Sequence, residues 1–212
     1  MSQITKGLPL SEIKKVVVNE NNEPLIEIKE TDKIVLLSEH KFLDPRIRKN
    51  VFDLLVNASN NLPVGYKLLI VTAYRSFDFQ KKLYRQRLRQ LATEHPFQLL
   101  FLYPKWIRMV KRYSAPPGCS PHQSGGAVDV TLVDNNGNRL DTGTSLTDYG
   151  EKVHTENNLI SDEQKKNRKI LCEAMTKAGF INYPLEWWHY SYGDSMWAAY
   201  SRLDKCFYDK VN

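Results

Sequence analysis

Four side chains hold the chemistry of this sequence: His122 and Asp129 in one short segment, and Glu186 and His189 in another much further along. Two imidazoles and one carboxylate can supply three ligands to Zn²⁺ and leave a fourth position for water, the ligand economy of a catalytic rather than a structural zinc site. Glu186 is the spare carboxylate. A metal-bound water must lose a proton, and a glutamate close in sequence to a ligand histidine is well placed to take it. Each residue also has a plainer reading. A lone histidine is more often a hydrogen-bonded surface or core residue, and His40, His95 and His154 are read that way; His122 and His189 escape it only jointly. Asp129 could instead cap a turn, but a carboxylate in an apolar strand favours a partner such as a metal. Glu186 could instead orient a ligand histidine.

The elements that position these groups can be read from punctuation and periodicity. Asp44 and Pro45 are expected to open a helix with an Ile47, Val51, Leu54, Leu55, Ala58 stripe that ends before Asn60-Asn61-Leu62-Pro63. Residues 66–73 are apolar and β-branched enough for a buried strand, which delivers Tyr74 and Arg75 at its end, and Ser76 can cap the basic helix that follows. Pro96, Pro104, Pro116 and Pro117 break the next stretch into a helical excursion. From Ala127 to Val133, Val128, Val130 and Leu132 share one face of a strand while Asp129 and Thr131 take the other. Gly125 and Gly126 are expected to let the backbone approach a metal or substrate, and Asn135-Asn136-Gly137-Asn138 supplies a turn. Ser161 and Gln164 form a capping box for a helix with an Ile170, Leu171, Ala174, Met175, Ala178 stripe that ends at Gly179. Residues 180–192 are expected to be extended. A regular strand would put Glu186 and His189 on opposite faces, so a shared site requires a bend there.

The pattern Ser120-x-His122-x-x-Gly125-x-Ala127-x-Asp129, followed by Glu186-x-Trp188-His189, resembles the zinc D-alanyl-D-alanine metallopeptidases of bacterial cell-wall metabolism. The form Leu185-Glu186-Trp187-Trp188-His189-Tyr190 is more similar to the dipeptidase branch than to the carboxypeptidase branch. The resemblance implies an α+β fold with a small antiparallel sheet carrying the zinc site and helices around it. It implies one Zn²⁺ per chain on His122, Asp129 and His189, Glu186 as general base, and Arg75 meeting the oxyanion, a role suited to a permanently charged, multiply donating guanidinium. A surface ion pair is the plainer role for Arg75. Ser120 is the counterpart of a serine that meets the substrate carboxylate, or a turn cap. A free dipeptide also presents an ammonium, and Asp148 is the candidate to receive it, or an exposed loop aspartate, because Gly143-Thr144-Ser145-Leu146-Thr147-Asp148-Tyr149 departs from the branch pattern. Trp187 and Trp188 read as core and pocket walls. The implied activity is hydrolysis of D-alanyl-D-alanine. A D,D- or L,D-carboxypeptidase or endolysin-like peptidase on peptidoglycan stems is the alternative within the enzymes, and a non-catalytic zinc-stabilised binding module the alternative outside them.

Composition permits this reading. A chain of 212 residues, with 42% hydrophobic and 25% charged residues, is sized for one domain, with residues 1–43 a less certain extension or edge. The opening residues lack a basic start and an apolar leader, and no apolar run reaches membrane-span length, so a cytoplasmic protein with no membrane partner is expected. Cys119, Cys172 and Cys206 are odd in number and widely spaced, which suggests neither a disulfide framework nor a cysteine zinc site. The net charge of +6 is concentrated in Lys81-Lys82-Leu83-Tyr84-Arg85-Gln86-Arg87-Leu88-Arg89. Phe77, Leu83, Tyr84, Leu88, Leu91 and Ala92 recur there at helical spacing, so the basic residues are read as the solvated face of an amphipathic helix, with no nucleic-acid partner. The expected partner is a small peptide substrate; oligomeric state is not legible.

Overall fold

A computed structural model describes residues 6–37 and 44–211. His40 and the first five residues of the opening segment lie outside the described residues. Along the chain run α1 (Leu10–Ile13), β1 (Val17–Val18), β2 (Leu25–Glu27), β3 (Ile34–Leu36), β4 (Arg46–Arg48), α2 (Lys49–Asn60), β5 (Tyr66–Thr72), α3 (Phe77–Glu94), α4 (Pro96–Phe101) and α5 (Tyr103–Tyr113). Then follow β6 (Ala127–Asp134), α6 (Asp162–Lys177), β7 (Ile181–Asn182), β8 (His189–Ser191), α7 (Ser195–Tyr200) and β9 (Lys205–Cys206).

The central sheet has the order β3-β5-β6-β8-β7, antiparallel except where β3 runs parallel to β5. That edge strand comes from the N-terminal region, which is woven into the fold: β1 also pairs with β9, and β2 with β4. β6 is long, β-branched and buried along almost its whole length, so it forms the middle of the sheet. One face of the sheet packs on α2 and α6, where Val51, Leu55 and Ala58 meet Leu171, Ala174 and Met175 together with Leu68, Ile70, Val128 and Val130. The helices α3 to α5 form a separate excursion around their own small cluster of Leu91, Trp106 and Val110.

Local signals read from sequence fare well where they are self-contained. Ser76 accepts a hydrogen bond from the Phe79 amide to start α3, and Ser161 with Gln164 forms the full capping box of α6. Asp44 does not open a helix. Its carboxylate accepts from the Arg46 backbone and guanidinium, and Ile47 pairs with Ile26 in β4, so α2 begins only after Arg48. Strand pairing with β2 prevails there over the Asp-Pro start signal. The two glycines also serve another purpose than expected. Gly125 has φ +72°, and a Cβ on it would stand 2.3 Å from Leu25 Cδ2; one on Gly126 would stand 2.5 Å from the Tyr192 carbonyl oxygen. Both positions admit neighbouring protein segments rather than a ligand.

Candidate active site

Strand register builds the site. Asp129 in β6 pairs directly with His189 in β8, so their side chains project from the same face of the sheet. On its other side Asp129 pairs with Thr72, at a register shift in β5 between Ile70 and Thr72. The shift lies at the end of β5 and re-aims the chain into Ala73, Tyr74 and Arg75. His122 stands in a short 3₁₀ turn, Pro121–Ser124, held against that strand end: the Arg75 amide donates to the His122 carbonyl at 3.2 Å.

His122 Nδ1 lies 2.8 Å from the Ala73 carbonyl oxygen. A carbonyl only accepts, so this nitrogen carries the proton and Nε2 keeps its lone pair, directed at Asp129 Oδ1 3.2 Å away. His189 Nδ1 lies 2.9 Å from the same oxygen. The three ligand atoms lie within 4.8 Å of one another, and all three residues are buried. Two imidazole nitrogens and a carboxylate oxygen, converging with one tautomer set by the backbone, fit a Zn²⁺ ion.

The electrostatics follow from this crowding. Burial and the nearby Arg75 charge push the His122 imidazole down to about 4, so it is neutral as a ligand must be. Burial alone would lower His189, but the hydrogen bond and charge of Asp129 prevail and hold it raised. Burial would raise Asp129, yet the hydrogen bond to His189 and the Arg75 charge hold its carboxyl well below the usual carboxylate range. Arg75 contributes through its Nη2, which donates to Asp129 Oδ2 at 2.8 Å, while its buried Nε has no protein partner. Glu186 is a different carboxylate. Burial pushes it up to about 6, against the counteracting charge of His189.

The second segment is not continuously extended. β7 and β8 form a hairpin, and Glu186 stands in the turn between them, its amide donating to the Tyr183 carbonyl and its carbonyl accepting from the His189 amide. This is the bend that a shared site for Glu186 and His189 requires. The buried Asn182 side chain holds it, with Nδ2 within 3.1–3.4 Å of the Glu186, Trp187 and His189 carbonyls. Asn182 carried no signal in the sequence, since a lone asparagine there reads as an ordinary turn residue. Behind His189, its Nε2 lies 3.4 Å from Ser191 Oγ, and the nearby Asp194 carboxyl is pushed up to about 6 by burial.

The structure brings His122, Asp129, His189, Glu186 and Arg75 together; Ser120 immediately precedes the turn that carries His122, and Asp148 stands in an exposed loop. Ser120 is buried and lines a cavity with Leu10, Val16, Asp194 and Met196, which includes none of the three ligand candidates. Its side chain caps no turn. Asp148 is exposed and accepts from the Ser145 amide at 2.8 Å, the geometry of a loop cap. Trp187 and Trp188 are buried in the core, with Trp187 Nε1 donating to Thr144 Oγ1 at 2.8 Å. The three cysteines are free thiols.

Residues 47–210 match the M15 peptidase family profile described as D-Ala-D-Ala dipeptidase. A D-alanyl-D-alanine dipeptidase of Synechocystis is 29% identical over 161 residues, covering 63% of this chain and 62% of that protein. A second from Enterococcus faecium is 42% identical over 77 residues, 34% of this chain and 36% of that protein. The matched segments thus span less than two thirds of these relatives. Among solved structures, the LD-carboxypeptidase LdcB is similar in fold, with a TM-score of 0.50 and 24% identity over 88% of this chain and 81% of that one.

Proposed function

Because the chain belongs to the M15 family of D-Ala-D-Ala dipeptidases, we propose that it hydrolyses the free dipeptide D-alanyl-D-alanine. The observation that carries this reading is the convergence of His122 Nε2, Asp129 Oδ1 and His189 Nδ1 at one buried point, with Arg75 on Asp129 and a high-lying Glu186 beside them. Zn²⁺ held by the three ligands would polarise the scissile carbonyl and acidify a bound water. Glu186 accepts the water's proton and returns it to the departing amine, a task suited to a carboxyl held at about 6 rather than at its ordinary value. Arg75 has a buried Nε without a protein partner and meets the oxyanion as the carbonyl becomes tetrahedral. His122 is held in its ligating tautomer by the Ala73 carbonyl.

The test is D-alanine release by the zinc-loaded protein from D-Ala-D-Ala beside an N-acylated D-Ala-D-Ala peptide. Hydrolysis of the free dipeptide alone, lost in Glu186→Ala, is the expected result. Preferential cleavage of the blocked peptide would reassign the chain to carboxypeptidase chemistry, and one bound zinc with neither substrate cleaved would leave a binding role.

A further inference from the structure

The helical excursion α3–α5 presents a surface that dipeptide hydrolysis does not use. Phe97, Leu100, Phe101, Leu102 and Tyr103 are 61%, 72%, 70%, 41% and 54% exposed. Among the described residues, the other exposed large apolar side chains, Val17, Val64, Phe77, Leu159 and Leu203, are scattered along the chain. Positions 97, 100 and 101 fall on one side of a helix, and the Phe97 and Phe101 rings stand 5.0 Å apart. Leu99 packs inward on the Leu91, Trp106, Val110 cluster, so α4 is anchored by one side and turns its larger apolar side to solvent. A contiguous apolar patch of this kind marks a binding surface.

Charge selects the occupant. Residues 77–113, the excursion itself, hold nine Lys and Arg against two carboxylates, Asp78 and Glu94, whereas the whole chain has 30 basic against 24 acidic residues. The excess charge of the protein is therefore concentrated on the excursion that carries the patch. Lys105 and Arg108 are exposed on α5 directly after it, and Arg89 is exposed on α3 before it. A second copy docked face to face would bring these like charges together. An anionic bilayer surface would instead pair with them while its acyl boundary takes up the apolar side chains.

We propose that α4 and the start of α5 dock the protein on an anionic membrane surface, with Phe97, Leu100, Phe101 and Leu102 entering the interface, Tyr103 at headgroup level, and Lys105 and Arg108 meeting lipid phosphates. The contact is peripheral, since among the described residues no helix is long and apolar enough to cross a membrane. It is independent of the peptidase reading.

The test is vesicle flotation of the full chain with phosphatidylcholine alone and with phosphatidylcholine mixed with phosphatidylglycerol. Wild-type protein should float with the mixed vesicles, stay behind with the neutral ones, and be released by high salt. The Phe97→Ser/Leu100→Ser/Phe101→Ser variant and the charge reversal Lys105→Glu/Arg108→Glu should each weaken partitioning by at least about tenfold. Both alter exposed side chains, so circular dichroism and dipeptide turnover should be unchanged. Equal partitioning to both vesicle types, or to neither, overturns the proposal, as does binding that survives both variants. Light scattering that finds a wild-type dimer dissolved by the triple serine change would assign the patch to a second copy and overturn it as well.

Discussion

The sheet that carries the site and the helical excursion beside it solve opposite problems. Around that sheet, polar groups are buried and partnered: Arg48 of β4 donates to the Ser124 carbonyl, the Glu20 carboxylate and the Asp209 carbonyl, and Arg168 of α6 donates to the Thr142, His154 and Lys152 carbonyls. These two buried guanidiniums tie the loops around the site to the core. In the excursion, large apolar groups are exposed over a cluster of three buried residues. Ligand atoms must be held to within about half an ångström, which requires polar groups satisfied in a dry core, whereas the docking surface proposed for the excursion needs only shape and charge.

The largest effect expected falls on the sheet and leaves its fold untouched. If Glu186 is the proton acceptor proposed above, Glu186→Ala should lower kcat by about 10²–10⁴-fold with zinc content unchanged. Zinc loss alongside rate loss would mean that Glu186 holds the metal site together. Next comes Arg168→Leu, which leaves the Thr142, Lys152 and His154 carbonyls without their donor and should cost about 3 kcal/mol in denaturant unfolding. Burial already lowers this guanidinium to about 10, so a small cost would show that its hydrogen bonds barely offset its desolvation.

Leu91→Ala tests whether the two regions are separable. A cavity in the small cluster should cost about 2 kcal/mol, seen as lost amide protection across α3–α5, while zinc affinity stays at the wild-type value. Spread of the protection loss into β6 and β8 would join the two regions into one cooperative unit.

A smaller effect, and one that depends on pH, comes from Glu186→Gln in the metal-free protein. The carboxyl is raised from 4.5 to about 6 by burial, so folding favours its protonated form. Its stabilising contribution is present below the unfolded value and lost as pH rises through about 6. Glutamine removes that penalty, so the variant should be more stable by about 1–2 kcal/mol at pH 7 and indistinguishable at pH 4. Thermal melts at the two pH values check it. Smallest of all, Leu100→Ser should change stability by less than about 0.5 kcal/mol, because the side chain is already in solvent.

Much of the site was legible before any fold was known. His122, Asp129, Glu186 and His189 stand in short segments whose internal spacing is visible, and the caps at Ser76 and Ser161 act within a single turn. The failures share a cause. Asp44 looked like a helix start because β2, twenty residues away, is invisible to a local reading. Gly125 looked like a place for a ligand because the side chain that fills it, Leu25, is distant in sequence.

By itself the sequence determined which atoms could hold a metal and which could move a proton, because donor chemistry belongs to side-chain types and their local spacing. Tertiary structure decided the rest: that Asp129 lies opposite His189, that the Ala73 carbonyl selects the His122 tautomer, that Arg75 reaches Asp129, and that Asn182 bends Glu186 into place. All but the last, a contact four residues apart within one hairpin, join separate strands or turns, and only strand register and packing determine which distant groups meet.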